Sequence, residues 1–238
     1  MELPLEVDPA RICRFYGCEL SWLSRLLNAK LTMRLYSSMT NVGPLATTFL
    51  MNLLESPISK EEFQTKAYSA VKGYSDNKFE FDIGELKSDP WVQGFWKETI
   101  RLGSTSASAR VLQKDEQLEG FILRKGSLVF LPVQLMHYNP DIFADPTKFD
   151  PRRWIGGEDK RQNSSLRAFG GGTSICSGRF LAEQETLLIA ATFLLRFDIK
   201  MGPSQKPFKH NPRALGIMGP TRDIELELCP RTGRFDRE

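Results

Sequence analysis

The feature that most constrains this chain is a glycine-rich loop that carries one cysteine and runs directly into an apolar helix. Phe169-Gly170-Gly171-Gly172-Thr173-Ser174-Ile175-Cys176-Ser177-Gly178-Arg179 leads into residues 178–197, where Leu181, Leu187, Leu188, Ala191, Leu194 and Leu195 supply a broad apolar surface at helical spacing. Glycines without a Cβ let backbone approach a large flat ligand. A cysteine at a helix start meets donor N–H groups and the positive end of the helix dipole, surroundings that favour an anionic sulfur. A phosphate loop is the competing reading, since such loops also precede helices. It has no strand leading clearly into it and no lysine after Gly172, and phosphate binding has no use for the cysteine.

At 238 residues and 41% hydrophobic content the chain is long and apolar enough for one large domain or two ordinary ones. A net charge of +3, with no long single-sign block, nominates neither nucleic acid nor an anionic membrane as a partner. The cysteines Cys13, Cys18, Cys176 and Cys229 and the two histidines, His137 and His210, fit neither a disulfide framework nor a zinc pattern, so a reducing compartment is expected. Cys13 and Cys18 read as packing residues. Met1 to Pro9 carries acids and prolines where a signal peptide needs basic and then apolar residues. Leu35 to Leu54 is free of charge but contains Ser37, Ser38, Thr40, Asn41, Thr47, Thr48 and Asn52, so it reads as a helix buried in protein and not in lipid.

From Leu20 to about Glu55 apolar residues recur at helical intervals, with a distortion expected near Thr40 to Pro44 because Pro44 removes a backbone bond. Ser59 with Glu62 predicts a capping-box start for a helix through about Lys72. Asp89 followed by Pro90 starts another, ending near Gly103. Phe121 to Leu123 and Leu128 to Leu131 have strand composition, with a turn at Lys125-Gly126. Prolines 140, 146 and 151 forbid regular helix over Asn139 to Trp154, and Arg161 to Gly172 reads as a polar, then glycine-rich loop. The alternation of Ile224, Leu226 and Leu228 against Glu225 and Glu227 predicts an edge or half-buried strand.

Two charged motifs accompany the loop. Glu98-Thr99-Ile100-Arg101 puts opposite charges on one helix face at i,i+3. By itself such a pair is most often a solvated surface bridge of small value. Phe149-Asp150-Pro151-Arg152-Arg153-Trp154 adds a further arginine in a proline-bounded segment.

Together these stretches resemble the cytochrome P450 family. Phe169, Gly172, Cys176 and Gly178 match its haem loop, Phe-x-x-Gly-x-(Arg or His)-x-Cys-x-Gly, with Ser174 at the basic position. Glu98 and Arg101 are similar to its Glu-x-x-Arg, and residues 149–154 to its Phe-x-Pro-x-Arg-Phe. The order of Arg110, of Gln134-Leu135-Met136-His137 and of Asp145-Pro146 between them also follows the family. Thr40-Asn41-Val42-Gly43-Pro44 stands where most members carry (Ala or Gly)-Gly-x-(Asp or Glu)-Thr. It resembles the branch of the sterol 7-alpha and 12-alpha hydroxylases and prostacyclin synthase.

The resemblance implies a mainly α fold with small β-sheets, the carboxy-terminal half of the cytochrome P450 fold in truncated form. Residues 1–19 would be an unassigned extension and residues 20–238 a partial domain. That domain would hold a distal helix over 30–55, the Glu-x-x-Arg helix over 90–102, the cysteine loop over 169–178 and a helix over 178–197. Large exposed apolar patches are expected where missing helices would pack. The implied cofactor is haem b, its iron ligated by Cys176, with Phe169, Gly170, Gly172 and Gly178 forming the loop beneath it. By position Arg110 would hold a propionate, although its chemistry fits an exposed loop arginine nearly as well. Glu98, Arg101 and Arg153 would form a buried three-charge support for the loop. His137 reads as a structural histidine.

Asn41 would lie over the distal face and hold a water or substrate oxygen, or equally fill a polar gap in a distorted helix. Residues 104–109 and 214–218 would line the substrate. The implied activity is monooxygenation of a lipophilic small molecule, sterol, terpenoid or polyketide-like, in secondary or lipid metabolism, with electrons from NADPH-cytochrome P450 reductase. An isomerase or dehydratase acting on a peroxide, and a truncated non-catalytic remnant, are the alternatives. Full-length relatives sit on the endoplasmic reticulum facing the cytosol, whereas no anchor is recognised in this sequence, which leaves a cytosolic location open.

Overall fold

A computed structural model describes residues 41–75, 78–156, 159–202, 216–221 and 224–231. Cys13, Cys18, His210, Ala214, residues 1–19 and the 30–40 part of the expected distal helix lie outside the described residues. The first described helix, α1, covers residues 41–54. Pro44 sits inside it. The i−4 partner that a proline at 44 would crowd is Thr40, outside the described residues, and the Gly43 carbonyl accepts a bond from Thr47 Oγ1 at 2.9 Å.

The next helix, α2, runs Pro57–Ser69, and its cap corrects the expected one: Ser56, not Ser59, accepts the orphan amide, from Ser59 N at 3.2 Å. Pro57, at the start of the helix, pre-sets φ there, which outweighs the Ser59/Glu62 pattern. Lys72 is not helical either. Val71–Ser75 (β1) and Lys78–Phe81 (β2) form an antiparallel hairpin whose Tyr74 and Phe79 rings stand 4.9 Å apart. A short helix α3, Ile83–Ser88, leads to α4, Pro90–Gly103, where Asp89 Oδ1 accepts from Trp91 N and Val92 N, both at 2.9 Å.

Beyond α4, Ala107–Val111 (β3) and Leu128–Pro132 (β6) pair with each other and enclose the hairpin of Glu116–Leu118 (β4) with Phe121–Leu123 (β5). The two expected strands therefore have different partners, with the turn at Lys125-Gly126 between them in place; Gly126 has φ +84°. A short helix α5, Val133–His137, follows, then a winding stretch to a 3-10 turn at Pro151–Trp154. The loop expected over Arg161 to Gly172 contains a helix instead, α6, Lys160–Ser165, started by Asp159 accepting from Arg161 N at 2.8 Å. The last helix, α7, runs Arg179–Arg196 and passes directly into Phe197–Met201 (β7), paired with Leu226–Pro230 (β8). Among the described residues the architecture is mainly α with four small antiparallel sheets.

The core forms where α1, α2, α4 and α7 meet. Phe49 packs edge-on against Phe63 at 5.4 Å and against Phe95 at 5.0 Å, and Phe95 meets Phe149 at 4.9 Å. Gly94 lets the 3-10 turn approach α4, since a Cβ there would stand 2.8 Å from the Pro151 carbonyl oxygen. Away from this core, apolar side chains stay exposed on the small sheets, Phe121 at 73% and Phe130 at 59%, with Leu135 at 71% on α5. Among the described residues no helix is long and apolar enough to cross a membrane.

Candidate functional site

The loop that carries Cys176 is shaped by two glycines in the left-handed region, Gly170 at φ +78° and Gly172 at φ +63°, conformations that disfavour residues with a Cβ. It is pinned from within: Gly170 N donates to Arg167 O at 2.8 Å and Cys176 N to Phe169 O at 2.9 Å. Phe169 anchors the start of the loop by stacking on Trp96 of α4, ring centroids 6.3 Å apart. The Cys176 thiol is exposed. A Cβ on Gly178 would lie 3.8 Å from its sulfur, whereas one on Gly172 would meet nothing within 4 Å. On the helix side, Arg179 Nη1 donates to Cys176 O at 3.0 Å, and Phe180 is 56% exposed.

Arg110 lies on β3 and not in a loop, and it reaches the same place. Its Nη2 donates to Ser174 Oγ and its Nη1 to Ala109 O at 2.7 Å. A forked cation is therefore held two residues from the cysteine, at the position where the family pattern has a basic side chain. An exposed sulfur, open glycine backbone, exposed aromatic surface and a guanidinium at the rim fit a flat, apolar ring with anionic substituents.

Behind the loop the structure brings Glu98, Arg101 and Arg153 together. Glu98 and Arg101 are both 0% exposed. Arg101 Nε and Nη2 donate to the two Glu98 oxygens at 2.9 and 2.8 Å, and Arg153 Nε donates to Oε1 at 2.9 Å. The carboxylate also accepts from Trp154 Nε1 and from Asp150 N, each at 2.9 Å. The remaining guanidinium protons go to carbonyls: Arg101 donates to His137 O and Pro146 O, both at 2.7 Å, and Arg153 to Ala144 O at 3.1 Å. Nearly every lone pair and proton in this buried cluster has a partner, the condition under which a buried ion cluster is tolerated.

Sequence reasoning missed Trp154 and Asp150 as members of the cluster and His137 as a link. His137 is fully buried, its Nδ1 2.8 Å from Arg101 O and its Nε2 2.9 Å from Arg167 N. Burial pushes its pKa down to about 4. Tryptophan beside Arg153 was the available signal, since a buried indole N–H needs an acceptor.

Asn41 lies on α1 against residue 216: a Cβ on Gly216, at φ +101°, would stand 2.5 Å from Asn41 Oδ1. That short segment is stitched to the end of α4 by Thr105 N to Gly216 O at 2.8 Å and Met218 N to Gly103 O at 2.7 Å, and to α1 by Thr48 Oγ1 to Met218 O at 3.0 Å. Residues 104–105 and 216–218, parts of the two stretches expected to line the substrate, 104–109 and 214–218, are thus neighbours of each other and of Asn41. A separate cavity of about 250 Å³, lined by Glu61, Gln64, Tyr68 and Arg231 among others, contains none of the candidate site residues.

The chain is 30% identical over 82% of its length to the rabbit (Oryctolagus cuniculus) 7-alpha-hydroxycholest-4-en-3-one 12-alpha-hydroxylase and 29% identical over 91% to cytochrome P450 7A1 of Sus scrofa. It is 27% identical over 72% to the cytochrome P450 monooxygenase poxD of Penicillium oxalicum. It spans only 43%, 48% and 37% of those three relatives in turn. The family model for cytochrome P450 matches residues 45–228, which take in α1 from Leu45 onward, the Glu98 cluster and the Cys176 loop, and the chain belongs to the cytochrome P450 family.

Proposed function

We propose that this chain is the cysteine-bearing part of a haem-thiolate monooxygenase that inserts one oxygen atom into a lipophilic small molecule, a sterol, terpenoid or polyketide-like compound. The observation that carries the reading is the exposed Cys176 sulfur on a glycine-opened loop with the Arg110 guanidinium at its rim. Haem b, when bound, supplies the oxygen chemistry, which thiolate ligation promotes by pushing electron density onto the iron.

The chain's own residues do the rest. Cys176 presents the ligating sulfur, and Gly170 and Gly172 let the ring lie close to backbone. Arg110 offers forked donors to a propionate, with the Ser174 hydroxyl sharing that edge. Glu98, Arg101 and Arg153 hold the segments on which the loop rests. Asn41 offers an amide to a water or substrate oxygen. By family, electrons would come from NADPH-cytochrome P450 reductase, on the cytosolic face of the endoplasmic reticulum.

A second reading is a peroxide isomerase or dehydratase: Asn41-Val42-Gly43-Pro44 brings neither the acid nor the alcohol that delivers protons to bound oxygen in most of the family, and it resembles a branch that holds both hydroxylases and an isomerase, so the motif does not choose between the reactions. The third reading is a chain with no turnover of its own. Turnover separates them. With the haem-loaded chain and sterol or terpenoid substrates, the proposal predicts product formation that consumes oxygen and requires both NADPH and reductase. Rearrangement of a lipid peroxide without electrons would replace it by the second reading, and inertness in both assays by the third.

A further inference from the structure

We infer that His137 is a positioning residue for the cysteine loop, joining the buried Glu98–Arg101 helix to the backbone that carries Cys176. The inference rests on Cys176 being the working residue of that loop. Arg167 N is an amide and can only donate, so Nε2 of His137, 2.9 Å away, is the unprotonated nitrogen. Nδ1 then carries the proton and donates to Arg101 O at 2.8 Å. A single neutral tautomer satisfies both ends, and the His137 carbonyl closes the clasp by accepting from Arg101 Nη1 at 2.7 Å.

From Arg167 the connection continues through backbone: Arg167 O accepts from Gly170 N at 2.8 Å, and Phe169 O accepts from Cys176 N at 2.9 Å. The Arg167 side chain lies along the same loop, its Nη1 3.4 Å from where a Cβ on Gly171 would be. The ring thus makes one bond to the helix that Glu98 anchors and one to the first turn of the loop. Burial keeps the ring neutral at physiological pH, which leaves the Nε2 lone pair available to Arg167.

The two bonds separate by substitution in the 238-residue chain. His137→Gln places an amide oxygen where Nε2 stands and retains the loop bond, whereas His137→Asn places an amide nitrogen near Nδ1 and retains only the helix bond. Amide hydrogen exchange at Arg167 and Cys176 reads the outcome without haem, so failure of the ligand assignment and failure of this inference are distinguishable. The expected result is slow exchange at both amides in the wild type and in His137→Gln. In His137→Asn both should accelerate by at least about fivefold, the share of one net hydrogen bond, with α4 amides unchanged. Fast exchange at Arg167 in the wild type, equal protection in the Gln and Asn variants, or uniform acceleration through α4 in both would overturn it.

Discussion

Replacing Glu98 by glutamine tests whether the buried cluster supports the fold. The carboxylate accepts five bonds, three from the guanidiniums of Arg101 and Arg153, one from Trp154 and one from the Asp150 amide. Glu98→Gln keeps the shape and removes the carboxylate charge that both guanidiniums face. Two buried cations then face a neutral amide, whose N–H groups cannot pair with guanidinium donors. Breaking a buried pair in this way costs about 3–5 kcal/mol, against about 5–15 kcal/mol for the whole stability of a typical domain. An exposed pair would cost only about 0–1 kcal/mol, so the two cases are well separated. With a urea slope of about 2–3 kcal/mol per molar, the midpoint should fall by about 1–2.5 M at unchanged slope. A shift corresponding to less than about 1 kcal/mol would refute the view that this cluster is buried and desolvated.

Three further perturbations probe its surroundings. Gly94→Ala drives a methyl into the Pro151 carbonyl oxygen at 2.8 Å and should lower stability by about 1–3 kcal/mol, read by thermal unfolding. Asp89→Ala removes the acceptor for Trp91 N and Val92 N and should cost about 1–2 kcal/mol, with the start of α4 losing protection in hydrogen exchange. Because burial lowers the His137 pKa from 6.5 to about 4, the unfolded state binds a proton that the folded state refuses between those values. Stability should therefore be constant from this group above pH 6.5 and fall by about 3 kcal/mol in total as pH drops to 4, a slope that His137→Gln removes in pH-dependent urea titrations. Asp115, held below its ordinary value of 3.8 by the Lys125 amide and Arg124, loses its contribution only at lower pH, so the windows are separate.

What was legible in the sequence was what is local. Asp89-Pro90 announces α4 because cap and first-turn proline are adjacent, and Glu98 and Arg101 pair because i,i+3 spacing stacks them on one face. The β1–β2 hairpin was not legible: Val71-Lys72-Gly73-Tyr74-Ser75 shows no alternation, and its aromatic pairing with Phe79 forms only once the strands meet. Ser56 lost to Ser59 as a cap because only Ser59 has a glutamate three residues on, whereas the structure follows Pro57. Trp154 reaches Glu98 across 56 residues and His137 reaches Arg167 across 30, separations over which spacing carries no signal.

The central claim is that Cys176 is the iron-binding thiolate. The most direct measurement is to reconstitute the full chain with haem, reduce it under carbon monoxide and record the Soret band, beside Cys176→Ser prepared in the same way. The account predicts the red-shifted band of a thiolate-ligated haem in the wild type and its loss in Cys176→Ser. Absence of that band in the wild type, or its persistence in Cys176→Ser, would contradict the account.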